Sequence, residues 1–138
     1  MLALSKKSEY GLMALAYLSG LERGDWANVS EIATASAVPR ELLAKILSEL
    51  VKAGLAESAS GPLGGFRLAR PPATVSLGDI LRALEKKPGM IDCALGRQEC
   101  RRPGVCTIRG PMFRVHEKVS RVFEETKLAD LMTAYEVE

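Results

Sequence analysis

A mainly α fold with one small β-hairpin is predicted by three features of the sequence. Two apolar-periodic segments are separated by a tight break, two short extended runs flank a glycine-rich turn, and a long final segment repeats apolar residues three and four apart. Helix, helix, hairpin, helix in that order is the plan of a winged helix-turn-helix, here followed by a long C-terminal helix.

Ser5 can cap a first helix reaching about Gly20, with Tyr10, Met13, Ala14, Tyr17 and Leu18 expected on its inner side. Gly24 and Asp25 mark a loop. Asn28 and Glu31 stand as N-cap and N3 of a short second helix that turns Ile32 and Ala33 inward. After a break at Ala37-Val38-Pro39, Pro39 suits the first position of a third helix, which continues from Arg40 to Ala53. Leu42, Leu43, Ile46, Leu47, Leu50 and Val51 form its apolar stripe, and Gly54 stands where a left-handed residue closes a helix. The turn Gly61-Pro62-Leu63-Gly64-Gly65 then makes a hairpin, placed as a wing directly behind that helix.

Ser76 and Asp79 open a fourth helix with Leu77, Ile80, Leu81 and Leu84 on one side, which Pro88 and Gly89 should end. Asp92 to Thr107 has no periodicity and reads as a loop. The last helix begins near Pro111, where Met112, Val115, Val119 and Val122 form a coiled-coil-like stripe widened by Phe113 and Phe123. A second copy of the chain is the expected partner for that stripe, giving a homodimer; packing on its own subunit is the alternative. The chain is therefore expected to be one domain over 1–138. Residues 1–75 form the reading part with its wing, 76–91 a connecting helix, 92–108 the cysteine loop, and 109–138 a dimerisation helix and C-terminal tail.

Bulk properties narrow the function classes. A chain of 138 residues, 47% hydrophobic and 26% charged, is globular with one core. No apolar run approaches the roughly 20 residues of a spanning helix, and the first residues lack a signal-peptide cleavage pattern. No membrane association and a cytoplasmic location are expected. The net charge is +2, and residues 1–70 and 71–138 each carry +1. Contact with double-stranded DNA must therefore come from local placement of cations rather than bulk attraction. In a helix-turn-helix the start of the second helix of the pair meets the major groove, which nominates Pro39, Arg40, Glu41 and Lys45. Arg40 suits guanine or phosphate and Lys45 suits phosphate. Lys6 and Lys7 near the start of the first helix, and Ser60, Gly61 and Arg67 in the wing, are further DNA-contact candidates. The alternative is a scaffold whose charges are simply solvated.

Three cysteines, Cys93, Cys100 and Cys106, crowd one segment with gaps of six and five residues. An odd count in an intracellular chain points to a metal or redox site rather than a disulfide framework. The zinc-type Cys-x-x-Cys knuckle is missing, whereas wider spacing of thiolates suits an iron–sulfur cluster. Arg97, Arg101, Arg102 and Arg109 would favour thiolates and offset a cluster's negative charge. A fourth ligand has two candidates: His116, the only histidine, and Glu9, an acidic group that a second subunit would supply. Three unmetallated thiols remain the alternative.

Taken together, Leu4-Ser5-Lys6 through Tyr10, the helix pair through Val38-Pro39, Leu43 with Ile46-Leu47, the wing Gly61 to Phe66 and the three cysteines resemble the Rrf-two family of bacterial regulators. The resemblance covers essentially the whole chain. It implies a homodimer with crossed long helices, a winged helix-turn-helix in each subunit, and Cys93, Cys100 and Cys106 as ligands of a cluster whose loading or damage changes operator affinity. Departures are informative. Arg109 stands where the family's iron–sulfur assembly regulators place a histidine, and the first cysteine gap is one residue longer than is usual for them. Glu9 aligns with an acidic fourth ligand of the nitric-oxide sensors. Ser60 and Ala44 replace an arginine and a glutamate used in DNA discrimination. The pattern implies a [4Fe-4S] cluster first and a [2Fe-2S] cluster second, and an operator of its own. Two other functions fit the residues: a metal-free thiol redox-sensing DNA regulator, and a protein-interaction module that never meets DNA. No nucleophile–base pairing is visible, so an enzyme is not expected.

Overall fold

Short-range chemistry sets where each element begins. In the computed structural model, which describes residues 4–85 and 107–132, helix α1 (Lys6–Ser19) starts where Ser5 Oγ accepts from the Ser8 amide at 3.2 Å. Helix α2 (Val29–Ser36) is capped by Asn28, whose Oδ1 accepts from the Glu31 amide at 2.8 Å. It stops at Ala37, whose φ of 55° is left-handed. Helix α3 (Arg40–Lys52) begins one residue later than expected. Pro39 has a ψ of 131°, outside the helical region, and acts as N-cap, its carbonyl accepting from the Leu43 amide at 3.0 Å. Gly54 has a φ of 77°, the left-handed turn expected behind α3.

Strands β1 (Ala56–Ala59) and β2 (Gly65–Leu68) pair antiparallel, with Ala56 opposite Leu68 and Ala59 opposite Gly65. A third extended piece joins them. Ala27 and Phe66 exchange backbone hydrogen bonds of 3.0 and 2.7 Å, closing the wing onto the loop before α2. Gly65 is required there: its φ is 145°, and a Cβ would overlap the Ala27 carbonyl.

A 3₁₀ turn, Pro72–Thr74, leads to α4 (Leu77–Leu84). Its capping box is complete, Ser76 Oγ accepting from the Asp79 amide and Asp79 accepting from the Ser76 amide. Helix α4 ends at Leu84 with Glu85 as C-cap, shorter than the connecting helix expected through residue 91. Pro88, Gly89 and all three cysteines lie outside the described residues. Helix α5 (Arg109–Glu125) and the short α6 (Leu128–Leu131) follow.

The core is built by α1 to α4 around Leu15, Ile32, Leu43, Ile46, Leu47, Leu50 and Ile80, joined by Val75 and Leu128. Of the inner side expected for α1, Ala14 and Leu18 are buried and Tyr10 and Tyr17 pack partly buried against the core, and only Met13 departs. Ser8, Gly11, Ala14, Leu15 and Leu18 are buried, while Met13 is 48% exposed. From Tyr10 to Leu18 the helix is apolar nearly all round, so its periodicity carries little information about which side packs. In α3, Leu42 is likewise more exposed than its place in the apolar stripe implied.

The chain returns to this core after α5. The Leu77 amide bonds the Thr126 carbonyl and the Leu128 amide bonds the Val75 carbonyl, both at 2.8 Å. Arg82 grips both Glu124 and Asp79. The C-terminal end of α5 is thus pinned to the head, whereas no residue of α5 is itself buried.

Candidate nucleic-acid interface

Helix α3 keeps Leu43, Ile46, Leu47 and Leu50 on the core, which by helical spacing leaves Arg40, Glu41 and Lys45 facing outward together with Pro39. Among the described residues neither Arg40 nor Lys45 has an ion-pair or side-chain hydrogen-bond partner. A cleft of about 410 Å³ opens between the start of α2, Arg40 and the wing, lined in part by Asn28, Ser30, Ala59, Gly61 and Gly64. In the first turn of α2 the Glu31 amide is taken by Asn28 Oδ1, whereas those of Val29 and Ser30, residues that line the cleft, have no helical acceptor and lie at the positive end of the helix. A guanidinium beside that end suits an anionic oxygen such as a backbone phosphate. Ser60 and Gly61 sit exposed at the wing tip, and beyond them Leu63 is 90% exposed. The apolar side chain of Leu63 carries no charge signal in the sequence, but an exposed apolar tip of this kind suits a groove.

The other predicted cations are engaged within the chain. Lys6 Nζ lies 3.0 Å from Glu9 Oε2, and the carboxylate raises the lysine's pKa. Lys7 Nζ lies 2.6 and 2.9 Å from the two oxygens of Glu49, tying α1 to α3. Arg67 donates to its cross-strand neighbour Glu57 at 2.9 Å and stacks 4.1 Å over the Trp26 ring. Any DNA contact by these three must compete with those partners.

Of the proposed metal ligands, Glu9 is on the first turn of α1, half-exposed and paired with Lys6. Cys93, Cys100 and Cys106 lie outside the described residues, in the sequence between α4 and α5. His116 is on α5 with Nε2 3.4 Å from Ser120 Oγ. Among the described residues no three His, Cys, Asp or Glu side chains are grouped to hold a metal. Three thiolates are donors of the kind that hold iron–sulfur clusters. No helix among the described residues is long and apolar enough to cross a membrane.

The Rrf2 sequence profile, described as an iron-dependent transcriptional regulator, matches residues 4–134. The chain belongs to the Rrf2 family. A curated Rrf2 relative, the HTH-type transcriptional regulator NsrR of Geobacillus kaustophilus (strain HTA426), is 34% identical over 130 residues, covering 94% of this chain and 88% of the relative. Among solved structures, CymR (YrzC), the global cysteine regulator of B. subtilis, matches with a TM-score of 0.81 at 28% identity, covering 96% of this chain and 98% of CymR. T. potens IscR matches with a TM-score of 0.75 at 27% identity, covering 95% and 86%. The observed helices and hairpin are therefore the winged helix-turn-helix of an Rrf2 regulator. The chain is a DNA-binding transcriptional regulator, and its relatives are regulators rather than enzymes.

Proposed function

We propose that this Rrf2 regulator is a homodimer whose operator affinity is set by an iron–sulfur cluster held at Cys93, Cys100 and Cys106. The carrying observation is the place of those thiols. They form one short segment joining α4, packed in the head, to α5, whose apolar stripe is uncovered. The family's description as iron-dependent supports the same reading. Glu9 of the second subunit completes the ligand set, as [4Fe-4S] in the first instance and [2Fe-2S] in the second. When bound, the cluster supplies a site that reacts with oxidants or nitric oxide or reports iron–sulfur supply.

The chain's own residues do the rest. Pro39, Arg40, Glu41 and Lys45 enter the major groove, and Ser60, Gly61 and Arg67 follow the backbone with the wing, as Lys6 and Lys7 do from α1. Ligation of the cysteines biases the balance between two arrangements of the paired heads.

Anaerobic purification with iron and sulfide analysis tests this. Charge-transfer absorption is expected in the intact protein, and Cys100→Ala should abolish it. A colourless, iron-free protein from that preparation would overturn the cluster. A second reading, favoured by the likeness to a global cysteine regulator, is direct thiol sensing. Mass spectrometry would then find a disulfide between two of the three cysteines and no iron.

A further inference from the structure

One carboxylate ties the end of α4 to the start of α1. Glu85 Oε1 accepts from Ser5 Oγ at 2.6 Å, Ser8 Oγ at 2.7 Å and the Ser5 amide at 3.3 Å. Ser5 is the N-cap of α1 and Ser8 is fully buried, so the charge sits on the positive end of that helix. The Ser5 and Ser8 hydrogen bonds, helped by the nearby Lys7 charge, hold the Glu85 carboxyl below the usual carboxylate range. An apolar lock lies beside it. Gly11 has no Cβ, and one built there would overlap Leu84 Cδ1, so Leu84 seats directly against α1. Leu84, the last residue of α4, and its C-cap Glu85 are therefore both held on α1, whose first turn bears Lys6, Lys7 and Glu9. Lys7 in turn holds Glu49 of α3. From Glu85 the chain continues to Cys93, eight residues on.

We propose that Glu85 is a positioning residue that couples the state of the cysteine segment to the first turn of α1, and through Lys7–Glu49 to the reading helix. The proposal rests on the sensing function above. A carboxylate gripped by three donors is either seated or released, so movement at the exit of α4 reaches α1 as a discrete shift rather than being absorbed.

Operator affinity, measured at one salt concentration on a duplex selected from random DNA, tests the coupling. The measured quantity is the ratio of dissociation constants between the cluster-loaded chain and the chain with all three cysteines changed to alanine. A ratio of about tenfold or more, in either direction, is expected for the unaltered background, within the range usual for coupled sites. Glu85→Ala should bring it to within about twofold of unity while iron content and helicity hold. Glu85→Gln, whose amide oxygen accepts from the same donors, should restore it. If Glu85→Ala does not fold, Ser8→Ala, which removes one donor, should still shrink the ratio. An undiminished ratio in Glu85→Ala or in Ser8→Ala overturns the proposal, and so does loss of iron in Glu85→Ala, which would make Glu85 a ligand or a support of the cluster. Equal affinities with and without cysteines in the unaltered background would instead fail the sensing function, and the proposal with it.

Discussion

Arg40 and Arg67 carry the same charge in opposite circumstances. Arg67 is spent on Glu57 and Trp26, stitching the wing together, while Arg40 faces a cleft with no described partner. Arg40→Ala should therefore weaken operator binding by about 1–3 kcal/mol and leave the melting temperature near its original value. Fluorescence anisotropy on a labelled duplex checks the first and circular dichroism the second; unchanged affinity would remove Arg40 from the interface. Ala37 offers a stability test that touches no partner. Its φ of 55° costs an L-residue about 1–2 kcal/mol, and the extra chain entropy of glycine returns only about 0.4–1 kcal/mol of that. Ala37→Gly should raise stability by about 0.5–1 kcal/mol in a urea titration.

Helix α4 is a joint bound by carboxylates. Asp79 is held below its ordinary pKa chiefly by the Ser76 amide, Glu85 by the Ser5 hydroxyl, and Glu124 by Arg82. Each binds its proton more weakly folded than unfolded. Their contribution is thus complete above the unfolded values, 3.8 for Asp and 4.5 for Glu, and is lost as the pH falls through the lower folded values. The melting temperature should be level near neutrality and fall below about pH 4.5. Glu85→Gln should make that acid decline shallower, because one of the three titrating groups is gone. An identical acid profile for wild type and variant would show that Glu85 does not contribute to the decline.

The proposed dimer rests on α5. Phe113, Val115 and Val122 are 44%, 41% and 58% exposed in the single chain, on a helix tied to the head at its C-terminal end through Glu124 and Thr126. An apolar stripe of this length matches a second copy of itself better than it matches water. Val122→Glu should weaken self-association by on the order of 3 kcal/mol without unfolding the head. Sedimentation should show dimer for the unaltered chain and monomer for the variant; a dimer of unchanged strength in the variant would place the interface elsewhere.

Helix starts at Ser5, Asn28 and Ser76, the closing turn at Gly54, the glycine-built wing and the apolar stripe of α5 were legible in the sequence, but that the stripe stays uncovered in the single chain was not. Each depends on residues within a few positions of one another, where capping and turn chemistry are local. Folding alone decided that Leu15 and not Met13 faces the core, that Ala27 closes the wing, that Lys7 and Arg67 are already paired, and that Glu85 seats on Ser5. Ser5 and Glu85 are 80 positions apart in the chain. Burial and ion pairing are settled by which atoms packing brings together across such distances, and periodicity along one helix carries no record of its neighbours.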